Sequence, residues 1–95
     1  MSIPDNDCQF VVVFGLTIRA LREQRGWSQE LLAEKADLNR SYVGELERGK
    51  AIPSLVTLRK LAVALDASLA GLMTHTESRL QNERIRGIDL AAIAC

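Results

Sequence analysis

Aromatic side chains, prolines, cysteines and histidine are all scarce in this 95-residue chain, and its charges cancel at pH 7. One Trp, one Tyr, two Phe and two Pro, against abundant Leu, Ala, Arg and Glu, leave too few strand-forming residues for a sandwich or barrel and favour an all-α fold. Cys8 and Cys95 lie near opposite ends with no CxxC spacing, which argues against a disulfide framework or a zinc knuckle and suits a reducing cytoplasm. The longest apolar run, FVVVFGLTI, falls well short of the ~20 residues a membrane helix needs. No basic stretch precedes it as a signal peptide requires, so a soluble, unprocessed protein without a membrane partner is expected. His75 has no neighbours for a metal site or catalytic pair, and no glycine-rich phosphate loop occurs. No cofactor, no metal and no enzymatic activity are therefore expected.

What is present suits one compact domain with tails, at 47% hydrophobic residues. Val11, Phe14, Ile18 and Leu21 recur at helical spacing, Asp5 or Asp7 is placed to cap the start, and Gly26 follows a turn carrying Arg22 and Arg25. The segment QFVVVF taken alone also fits a short strand. Ser28 is an N-cap for QELLAEKA, and Asn39 for RSYVGELER, which closes at Gly49. Pro53 and Ser54 open LVTLRKLAVAL, with a stripe of Leu55, Leu58, Ala62 and Leu65, and Ser68 begins a last turn or two through Leu72. Beyond Met73 the pattern weakens, although Leu80, Ile85, Ile88 and Ile93 remain as apolar anchors. The expected architecture is five helices, a domain over residues 1–73 and a tail over 74–95.

Charge is unevenly placed despite its zero sum. From Arg19 to Lys60 there are nine Lys and Arg (Arg19, Arg22, Arg25, Lys35, Arg40, Arg48, Lys50, Arg59, Lys60) against six acids (Glu23, Glu30, Glu34, Asp37, Glu45, Glu47). That local excess of cations points modestly to an anionic partner.

The second and third helices are too short to be stable alone and must brace one another. Ala33 is small where two backbones approach, Leu32 and Ala36 face inward, Leu38 fills the turn, and Val43 and Leu46 return to the same core. Such a pair is a helix-turn-helix, whose second helix fits the DNA major groove. Gln29, Ala33, Leu38, Val43, Leu46, ERGK and PS together resemble the phage repressor and Cro-like (XRE-type) helix-turn-helix family, including restriction–modification controller proteins, from about Phe14 to Met73, with the motif at about 29–48. Asp37 stands where that family usually has glycine; Asp tolerates left-handed geometry better than most residues, at a small stability cost.

The resemblance implies site residues. Arg40, Ser41 and Glu45 share one face of the third helix and are candidates for base contacts, Arg with guanine, Glu with cytosine and Ser with either. Gly44 lets that helix lie close to the groove floor. Gln29, Asn39, Tyr42, Arg48 and Lys50 suit phosphates, with Asn39 also a helix cap and Tyr42 also a cover for the core edge. Arg22 and Glu47 resemble a structural ion pair that orients the third helix, and Trp27 is expected under the first turn of the second. The expected function is a sequence-specific regulator reading a pseudo-palindromic operator on double-stranded DNA as a homodimer, with residues 74–95 as the dimerisation arm. The alternative is an antitoxin-like module that uses the same fold to grip a protein partner.

Overall fold

In the computed structural model the chain forms five helices, α1 (Asp5–Gln24), α2 (Gln29–Ala36), α3 (Arg40–Glu47), α4 (Leu55–Ala64) and α5 (Leu69–Ile85). The backbone of residues 5–85 and the side chains of residues 7–82 are described, and no strand occurs among them. The segment QFVVVF is helical, lying within α1.

Two eight-residue helices hold only because a common core clamps them. Phe14 and Ile18 of α1, Leu32, Ala33 and Ala36 of α2, Val43 and Leu46 of α3, Leu61 and Ala62 of α4, then Leu65 and Leu72, form one buried cluster. Each Leu or Ile so buried contributes about 1.5–3 kcal/mol. A smaller cluster joins Val12 and Val13 to the half-buried Leu16 and Leu80. No described helix is long and apolar enough to cross a membrane.

Both ends of these helices are chemically specified. Ser28 accepts from the amide of Leu31, Asn39 from Ser41 and Ser54 from Thr57, satisfying donors that a helix start leaves open. Four helices stop in one pattern, an amide reaching back five residues: Trp27 to Arg22, Leu38 to Ala33, Lys50 to Glu45 and Ala67 to Ala62. Each of those bonds follows a residue at positive φ, namely Gly26, Asp37, Gly49 and Asp66. Asp37 takes φ 54°, ψ 50°, the left-handed geometry expected of it. Its carbonyl and carboxylate also meet Lys60 Nζ, at 3.3 and 3.6 Å. An L residue there costs about 1–2 kcal/mol, whereas the exposed pair with Lys60 contributes less than about 1 kcal/mol. Asp37→Gly should therefore raise stability by about 0.5–1 kcal/mol, read as a rise of a few degrees in melting temperature; an unchanged or lower value refutes it.

Two expectations are corrected. The last helix does not stop near Leu72 but continues to Ile85 and crosses position 73 without a break. Within it Thr76 is buried, its hydroxyl donating to the carbonyl of Leu72 at 2.8 Å, and Leu80 is half-buried against α1. Cys8 is buried and disulfide-bonded, its partner outside the described residues; sequence separation gave no measure of distance in space. The Trp27 ring packs against the main core and is flanked by Arg25 and by Lys35 Nζ at 5.0 Å.

Candidate nucleic-acid interface

The outward face of α3 follows from what its inward face must bury. Val43, Gly44, Leu46 and Glu47 are buried, which turns Arg40, Ser41 and Glu45 to solvent, followed by exposed Arg48 and Lys50. None of these five exposed side chains has a hydrogen-bond or ion-pair partner among the described residues. Three cations and one carboxylate, all unengaged, make a mostly positive surface with a single acceptor, suited to contacts with both phosphates and base edges.

α1 holds this helix along one rail of three residues, Val12, Gly15 and Arg22. At Gly15 the backbones of α1 and α3 touch: a Cβ added there would collide with the Leu46 carbonyl oxygen and lie 2.8 Å from that of Glu47. At Gly49, φ +71°, an added Cβ would lie 2.9 Å from Val12 Cγ2. Two turns from Gly15, Arg22 donates from Nε to Glu47 Oε2 at 2.7 Å and from Nη2 to Oε1 at 3.0 Å. Its Nη1 donates to the Trp27 carbonyl at 2.7 Å. This bidentate pair is almost dry, with side chains 12% and 3% exposed. The hydrogen bond to Glu47 raises the Arg22 pKa above its ordinary value, burial opposes this, and the charges of Glu47 and Glu23 add to the rise. Arg25 secures the far side by donating to the carbonyl of Leu65 after α4.

The structure adds intramolecular contacts to several of the candidate residues. Gln29 opens α2, as expected, and its amide donates to Glu47 Oε1 at 3.0 Å, which ties it to the Arg22–Glu47 pair and leaves a second N–H for an anionic partner. Gly44, expected against the groove floor, is buried: an added Cβ would lie 3.1 Å from Arg48 Nη1 and 3.6 Å from Gln29 Oε1. Its lack of a side chain lets Gln29 and Arg48 lie across α3. Asn39 is exposed and caps α3 at 2.8 Å, and Tyr42 is half-buried against the main core. Sequence reasoning did not single out Gly15, although a glycine inside an apolar helical stripe is the usual mark of close backbone approach.

Comparison with known proteins gives a consistent result. Residues 18–72, more than half of the chain, match a family profile described as "Helix-turn-helix". The chain is 42% identical over 59 residues to the immunity repressor protein of Bacillus phage phi105, covering 62% of this chain and 41% of that one. It is 36% identical over 85 residues to the control protein C.SmaI of Serratia marcescens, covering 86% and 99%. Among solved structures, the restriction–modification controller protein C.AhdI from Aeromonas hydrophila is 50% identical over 65% of this chain and 94% of its own, with a TM-score of 0.64. The chain thus spans about two fifths of the phage repressor's length, and 35% of another curated relative's.

Proposed function

The chain belongs to the helix-turn-helix family, and on that premise we propose that it is a DNA-binding transcriptional regulator of the repressor or controller type, reading a pseudo-palindromic operator as a homodimer. The observation that carries the proposal is the outward face of α3, polar side chains without partners on a helix that α1 holds from behind. Arg40, Ser41 and Glu45 are the base readers, and Arg48 and Lys50 the phosphate contacts. Gln29 and Gly44 serve by shaping the helix around them. No catalytic step belongs to this reading.

Dimerisation needs an apolar face. Of the tail anchors, expected to meet either the other subunit or the fourth and fifth helices, Leu80 packs on α1 of its own chain, and Ile85, Ile88 and Ile93 fall outside the described side chains. Ile52, Leu55, Val56 and Val63 are instead exposed together on α4 and the segment before it, which supports pairing through that side. A protein partner such as a toxin would use the same surface, and co-purification of a second chain would favour it.

Selection from a random genomic fragment library tests DNA binding and yields the operator. With that operator, Arg40→Ala should weaken cognate binding by about 1–3 kcal/mol and hardly alter binding to random DNA. Arg48→Ala should weaken both alike and lower the slope of log affinity against log salt by about one for each phosphate left unneutralised. An unchanged ratio of cognate to random affinity in Arg40→Ala would refute base reading through this residue.

A further inference from the structure

A groove away from α3 has no part in operator reading. It lies between α1 and α5, with a volume of about 330 Å³. Leu21 of α1 forms part of its floor, and Gln24 of α1 with His75, Ser78, Arg79 and Asn82 of α5 carry its polar groups. His75, Arg79 and Asn82 recur at four- and three-residue steps, so one face of α5 supplies them. None of the five polar side chains has a hydrogen-bond or ion-pair partner among the described residues. Among the described residues no carboxylate lines the groove, and Glu77 lines an adjoining one that shares Ser78 and Asn82 with it.

A half-buried arginine with no hydrogen-bond or ion-pair partner among the described residues, amid further N–H and O–H donors, is matched by an oxyanion. Arg presents paired N–H groups in a fork that fits a carboxylate or phosphate, and its charge strengthens those bonds. The volume is at the small end of ligand sites, which excludes large ligands. We propose that this groove binds a small ligand bearing a carboxylate or phosphate, held by Arg79 in a fork and by His75, Ser78 and the amides of Gln24 and Asn82. A short carbon body, where present, lies on Leu21. The site adds small-molecule binding on a face separate from α3 and does not depend on the DNA-binding reading.

The test is a titration of the 15N-labelled full chain followed by NMR, with sodium phosphate in one arm and sodium butyrate in another, each against sodium chloride at equal ionic strength. Saturable shifts at Gln24, His75, Ser78 and Arg79 are expected, and the arm that saturates at lower concentration identifies the head group. Arg79→Gln, which removes a side chain with no partner among the described residues, should keep the melting temperature and weaken that binding at least about tenfold, equivalent to about 1.4 kcal/mol. His75→Gln should weaken it less, and Arg48→Ala should leave it unchanged. Shifts that follow chloride, shifts confined to residues 40–50, or wild-type affinity in Arg79→Gln would each overturn the proposal.

Discussion

Glu47→Ala should cost the fold about 3–5 kcal/mol, because it strands a nearly buried charge. The Glu47 carboxylate accepts from Arg22 twice and from Gln29 once. Without it the Arg22 guanidinium keeps only the Trp27 carbonyl and, at 3.9 Å, the carboxylate of Glu23, while Gln29 loses its acceptor. An exposed ion pair of similar length would contribute less than about 1 kcal/mol, so magnitude decides between the two descriptions. Denaturant midpoints measure it, and a loss under about 1 kcal/mol would place the pair among screened surface pairs. The double variant Arg22→Met with Glu47→Leu, which removes both charges, should recover much of the loss. DNA affinity of Glu47→Ala should fall through disorder of α3, since Glu47 does not belong to the exposed reading face.

Gly15→Ala should destabilise by about 2 kcal/mol or more, against the direction that helix propensity alone gives. In a helix interior alanine is favoured over glycine by about 1 kcal/mol, so an uncrowded site would become more stable. Here the new methyl meets two backbone carbonyls of α3, which cannot rotate aside as a side chain tip can. Overpacking of this kind costs about 1–3 kcal/mol and sometimes more, and the collision with the Leu46 carbonyl puts this site at the upper end. Thermal unfolding and cognate DNA affinity measure the two consequences, lower stability and a displaced reading helix. A rise in melting temperature would show that α1 and α3 separate easily.

Residues 28–49 were the most legible part of the chain, because caps, small residues and apolar spacing agree there. Ser28 and Asn39 cap as their positions foretell, Asp37 and Gly49 stop their helices, and Arg22 meets Glu47 across 25 residues. The length of α5 was not legible. Its buried positions include Thr76, a polar residue that hides its hydroxyl in its own helix, and its packing on α1 leaves no continuous apolar stripe to read. Within the site, spacing identified which residues of α3 face outward. It did not show that Gln29 and Arg48 fold over Gly44, because that depends on side-chain paths set by the crossing of α2 and α3. Asp66 was missed as a helix stop since nothing but its backbone angle distinguishes it.

The division of the interior into two unequal clusters gives α1 two mechanical regimes. Its later turns, through Phe14 and Ile18, belong to the large core shared with the other four helices, whereas Val12 and Val13 pack with Leu16 and Leu80 in the small one. Apolar contact sets the free energy of local opening, so the contact of Val12 and Val13 with Leu80 opens at lower cost than the large core. Because Val12 also abuts Gly49 just after α3, loosening of that small cluster reaches the DNA-facing motif at its C-terminal end.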